Sequence, residues 1–101
     1  MSKGNVSRAV INHSDAGDNS IVTPASGSSI EVGSLVLIAD SAVTLTIKSG
    51  SSAISGPMAL EANRLYSFGP GLFQTATNGA FVLHLGSGVQ VSGAISYRES
   101  Q

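Results

Sequence analysis

Residues 43–48 alternate without interruption: Val43, Leu45 and Ile47 are apolar, and Thr44, Thr46 and Lys48 between them are polar. A period of two sends successive side chains to opposite faces of a strand, so this segment is extended with one face on a core. Weaker versions of the pattern recur along most of the chain, each closed by glycine, proline or asparagine. Residues 21–23 stop at Pro24, and residues 63–68 stop at Gly69-Pro70-Gly71. Residues 80–85 place Phe81, Leu83 and Leu85 on one face and end at Gly86-Ser87-Gly88. Residues 89–98 align Val89, Val91, Ile95 and Tyr97. Helical spacing is absent except over residues 58–63, about a turn and a half. About eight short strands separated by turns predict an all-β fold, an antiparallel β-sandwich or barrel.

The longest extended segment is 30–39. Read with a strict period of two, Ile30, Val32, Val36 and Ile38 share the core face, and Leu35 and Leu37 lie opposite them. The second half is then apolar on both sides, as in a central strand or one lying in a subunit contact. Leu35, Leu37, Val82 and His84 are therefore the expected oligomer or partner contacts. Asn78-Gly79 is a two-residue hairpin signal. Residues 1–20 are rich in Ser, Asn, Gly and Asp around one apolar patch at 6–11, which is a candidate first strand. They read as an N-terminal arm that orders against a neighbour, with residues 21–101 as the sandwich domain.

Charged residues make up 11% of the 101-residue chain, against roughly 25% in an ordinary soluble domain. A domain this small buries only about 60–70% of its chain surface and usually needs a well-charged exterior. Its outside must then be neutral Ser, Thr, Asn and Gly, or be partly covered by other subunits. With a net charge of −1, the cations Lys3, Arg8, Lys48, Arg64 and Arg98 stand singly, which argues against nucleic acid as a partner. No cysteine is present, so there is neither a disulfide framework nor a thiolate metal site. The longest purely apolar run, 35–39, is too short to span a bilayer, and no secretory leader is evident. A soluble chain assembled in cytoplasm is expected.

The search for chemistry yields little. Many serines accompany only two histidines, His13 and His84, and no Gly-x-Ser-x-Gly elbow occurs. His84 reads as a strand histidine; three copies on a symmetry axis would be needed to make it a metal site. Asp15 and Asp18 sit in a Gly turn without the trailing Glu of a calcium loop. Phosphate cradles and dinucleotide fingerprints are missing. Sugar sites lean on aromatic platforms, and here only Tyr66 and Tyr97 are candidates, with no Trp. No enzyme activity and no cofactor are expected.

The run Ser41 through Asn63 resembles a pattern of small tailed-bacteriophage virion proteins. A strand ending in Lys48-Ser49-Gly50 leads to a Ser55-Gly56-Pro57 turn and a Leu60-Glu61-Ala62-Asn63 stretch. Leu72-Phe73-Gln74-Thr75, then Asn78-Gly79, an apolar strand and the closing Val91-Ser92-Gly93-Ala94-Ile95-Ser96-Tyr97 continue the likeness over about residues 21–99. The resemblance implies a jelly-roll-like sandwich that serves as a head decoration or cement protein. It implies a homotrimer seated on the major capsid protein, on the outside of the virion. It brings no catalytic residues. The alternative is a receptor- or glycan-binding module of a phage fibre or tail.

Overall fold

The structure, a computed structural model, describes residues 6–100. It is all-β, with nine strands: β1 (Ser7–His13), β2 (Gly17–Val22), β3 (Ser29–Ala39), β4 (Val43–Ser49), β5 (Ser52–Ala53), β6 (Met58–Leu60), β7 (Leu65–Phe68), β8 (Phe81–Leu85) and β9 (Val91–Ser100). One sheet has the order β1-β9-β3-β7, and the other β2-β8-β4-β5 with β6 also on β4. All pairings between these strands are antiparallel.

Strands β5 and β6 share one edge of β4. The first faces Lys48 and Ser49, and the second faces Val43 to Leu45. Between them Ser55 Oγ accepts the Ile47 N–H at 2.9 Å, filling the gap that Gly56-Pro57 leaves in the ladder. Counted as one interrupted strand they give two four-strand sheets. Apart from β4, β5 and β6, which follow one another in one sheet, successive strands cross from one sheet to the other and find their partners far away in sequence. This is the jelly-roll order, and the expected antiparallel sandwich is observed.

The N-terminal segment belongs to both sheets. β1 pairs with β9 over seven consecutive positions, from Ser7↔Tyr97 to His13↔Val91, and β2 pairs with β8. The expected boundary at residue 20 falls inside β2, and residues 7–20 are not an arm apart from the sandwich. Their polarity has a local cause. Arg8 and Asn12 are exposed while Ile11 is 1% exposed and in the core. Buried Asn19 donates to the carbonyls of Asp15 (2.9 Å), Gly17 (3.1 Å) and Leu83 (3.4 Å), so its amide knits the turn instead of costing stability. Residues 1–5 of the expected arm lie outside the described residues.

The Asn78-Gly79 turn forms, with Asn78 at φ 66° and Gly79 N–H donating to the Ala76 carbonyl at 2.8 Å. It does not close a hairpin. Residues 73–75 run along the first half of β3, with Val32 N–H on Phe73 O (3.1 Å) and Thr75 N–H on Ile30 O (2.9 Å). The next strand, β8, is in the other sheet.

The core is aliphatic apart from Phe73 and Phe81. It is lined by Ile30, Val32, Leu35, Leu37 and Ile95 from one sheet and Leu45, Ile47, Leu83 and Leu85 from the other. Strand β3 changes parity within its length. The register shifts between Val32↔Tyr97 and Ser34↔Ser96, leaving Gly33 as an extra residue opposite no partner. Ahead of this bulge the even residues Ile30 and Val32 point inward; beyond it the odd residues Leu35, Leu37 and Ala39 do, all at 0–1% exposure.

Gly93 sits where β9 passes closest to β3. A Cβ there would lie 1.8 Å from the Val36 carbonyl oxygen, which is backbone and cannot swing away. Ordinary overpacking costs about 1–3 kcal/mol, and a clash with backbone costs more. Gly93→Ala is therefore expected to lower the unfolding free energy by more than about 3 kcal/mol in urea melts. Gly56→Ala, with nothing within 4 Å of its Cβ position, should melt like the parent.

Candidate functional site

The four residues expected to form contacts separate into three environments. Leu35 and Leu37 are fully buried in the core and present no outer surface. The bulge at Gly33 is the reason: it reverses the faces of residues 34–39 relative to an uninterrupted strand. Val82 does face outward from β8, since Phe81, Leu83 and Leu85 fill the core, yet it is only 3% exposed. His84 lies beside it with its side chain 43% exposed.

Val82 is covered by a charged cluster on the outer face of the β2-β8-β4 sheet. Lys48 on β4 is the register partner of Val82, and its Nζ reaches 3.0 Å from both carboxylate oxygens of Asp18 on β2. To span from β4 to β2 its four-carbon stem must cross β8, which accounts for a lysine side chain only 17% exposed. His84, opposite Asp18 in register, closes the cluster with Nδ1 2.6 Å from Asp18 Oδ1. A carboxylate can only accept, so Nδ1 carries the proton and donates. These two donors, His84 first and Lys48 second, hold the Asp18 carboxyl below its ordinary value of 3.8. Among the described residues no three His, Cys, Asp or Glu side chains come together as a metal site.

The outer face of the β1-β9-β3-β7 sheet is different in kind. Register places Val10, Ala94, Val36 and Ser67 in one row across the four strands, and Asn12, Ser92, Ile38 and Leu65 in the next. Arg8, Ser96 and Ser34 form a third. Arg8 is the one charge in these rows. Val10 is 78% exposed, Leu65 63% and Ile38 37%. This flat aliphatic patch with a serine surround is the site that the sequence placed on the wrong side. A strict period of two puts Val36 and Ile38 on the core side, whereas the structure turns them outward beside Val10 of the apolar patch 6–11. The alternation was visible, but its phase beyond Gly33 was not.

A cleft of ≈ 350 Å³ opens where β3 bulges and the opposite edge breaks at Pro70-Gly71. Glu31, Tyr97 and Arg98 line it with Val6. Tyr66, the other aromatic candidate, is occupied elsewhere: its hydroxyl accepts the Glu61 N–H at 2.8 Å and fixes the corner before β7.

Fold and surface together define a jelly-roll sandwich with one polar, ion-paired face and one partly aliphatic face whose central rows carry a single charge. The chain matches no family model, no curated protein and no solved structure, so the resemblance to phage virion proteins rests on the residues that carry it.

Because Asp18 titrates lower in the folded chain than in the unfolded one, its contribution to stability is complete above the ordinary value of 3.8. It is lost as pH falls through the lowered folded value. Carboxyl NMR titration should place the Asp18 midpoint below 3.8. His84→Gln and Lys48→Gln should each raise that midpoint toward the ordinary value.

Proposed function

We propose that the chain is a structural virion protein, a decoration or cement protein that binds the assembled phage head as a homotrimer and stabilises it. The observation that carries this reading is the contrast between the two outer faces. A part that sits on a shell needs one face that is cheap to desolvate and another that stays in water. The rows of the β1-β9-β3-β7 face that hold Val10 and Leu65 carry one full charge, Arg8, with Glu31 and Arg98 on the row beyond the bulge, and the opposite face holds the Asp18–Lys48–His84 cluster. Covering Val10 and Leu65 is worth about 1–2 kcal/mol each, modest alone but multiplied when several copies engage one lattice. A protein that binds only the assembled shell stabilises it by mass action, with no cofactor and no catalytic step. The phage, the major capsid protein as partner, the virion exterior and the threefold symmetry come from the resemblance.

One observation favours the second reading, a receptor- or glycan-binding module. The cleft beside Gly33 has Tyr97, Glu31 and Arg98 among its lining residues, an aromatic residue near polar groups of the kind sugar sites combine.

Co-sedimentation with heads of the phage that encodes the chain tests the proposal. The parent protein should pellet with heads and raise their melting temperature. Leu65→Asp should weaken attachment at least tenfold at unchanged protein stability, while Thr44→Asp on the opposite face should not. A 10.2 kDa monomer in light scattering that stays in the supernatant would overturn the reading. Glycan-array binding without head binding would put the module reading in its place.

A further inference from the structure

The two sheets expose four edges, and three are unfit for pairing with another strand. β7 has four residues, and the β5/β6 edge is broken at Gly56-Pro57. β2 is bulged between Ser20 and Val22, carries Asp18, and is followed closely by Pro24. Short strands, bulges, charges and prolines are the usual means by which proteins block edge-to-edge addition.

β1 has almost none of these. It runs seven residues without a bulge or a proline, and its only full charge is Arg8. Among the described residues it pairs with β9 alone, so its other edge offers unpaired backbone donors and acceptors.

We infer that β1 is a twofold contact between two copies of this chain, pairing antiparallel with its own equivalent about Val10. The sequence of the strand is compatible with itself in that register. Ser7 then lies opposite His13, Arg8 opposite Asn12, Ala9 opposite Ile11, and Val10 opposite Val10. The single charge faces a neutral amide that can accept from it, and like charges never meet, which would destabilise a cross-strand pair. Val10, at 78% exposure, becomes the centre of an apolar row that continues through Ala94 and Val36 in both copies. The four-strand sheet becomes eight strands across the axis. An extended segment of some other protein would also find donors and acceptors on this edge, but the self-matching register selects a second copy. The contact goes beyond the shell-binding proposal and does not require it; on a shell it would join copies from neighbouring trimers.

The chain has no cysteine, so single-cysteine variants report the register directly. Opposed Cα atoms in an antiparallel pair are about 4.5–5.5 Å apart, within disulfide reach. Two copies of residue 12 would be offset by four positions, about 13 Å along the strands, and out of reach. Under mild oxidation Val10→Cys should form disulfide-linked dimers at least tenfold faster than Asn12→Cys, which is also exposed on the same strand. A mixture of Arg8→Cys and Asn12→Cys should form the mixed dimer faster than either forms its own. Thermal melts of the reduced variants, expected to match the parent, exclude misfolding as the cause. If Val10→Cys links no faster than Asn12→Cys, the inference is overturned. If Asn12→Cys links with itself fastest, the register is wrong and the self-complementarity argument falls with it. Head co-sedimentation is read separately, so failure of this contact is not failure of the shell proposal.

Discussion

Both sheets meet over one strand, β3, whose inward face changes from even to odd residues at Gly33. Without that extra residue Leu35, Leu37 and Ala39 would point into solvent, and the core would lose one side of its middle layer. Ile95 and Phe68 are register partners of Leu35, and Gly93 and Tyr66 of Leu37, so the phase of β3 decides which side of β9 and β7 faces inward as well. The same event shapes the surface. Reversing the parity turns Val36 and Ile38 outward and creates the aliphatic face, and it opens the cleft lined by Tyr97 and Arg98. Core, patch and cleft are three results of one bulge.

That explains how far the sequence could be read. The class of fold was legible because it depends on local period and on turn residues, and Val43 to Lys48 or Phe81 to Leu85 carry both within a few positions. The phase of β3 was not, because a bulge leaves no apolar signature; Gly33 looks like any glycine in a strand. The role of residues 7–20 was hidden for another reason. The apolar patch at 6–11 reads as a strand, but β1 lies at an edge with one face in water, and its partner β9 is found only at the far end of the chain. Asp18, Lys48 and His84 were each visible as separate residues. Their meeting depends on β2, β8 and β4 lying side by side, a property of the jelly-roll crossing pattern and not of any local segment.

The Asp18 cluster shows how a chain with so few charges uses them. Lys48 spans a strand, covers Val82 with its stem, and neutralises Asp18, so an outward valine is sealed without a second hydrophobic layer. As an exposed ion pair it adds little to stability by itself. Its effect on the surface is larger, since it removes an apolar residue from the face that stays in water. On the opposite sheet nothing comparable covers Val10 or Leu65, although the sequence has threonines and lysine on the equivalent positions of β4.

This asymmetry bears on what the missing charge means. If low charge were only a trait of composition, aliphatic exposure would be spread over both faces and over the loops. Among the described residues Val6 and Leu72 are exposed outside the strands, but Val10, Ile38 and Leu65 fall on adjoining rows of one sheet and none of the large exposed apolar side chains lies on the other. The edge that borders them, β1, is the one left without a blocking feature. A bare face and an open edge that adjoin are hard to reconcile with a chain that works alone, because each exposes it to association that a lysine or a proline would have prevented. They are what the proposed subunit role would use. In that proposal the face would supply a broad contact whose strength comes from repetition, and the edge would supply directional backbone bonds that fix how two copies meet.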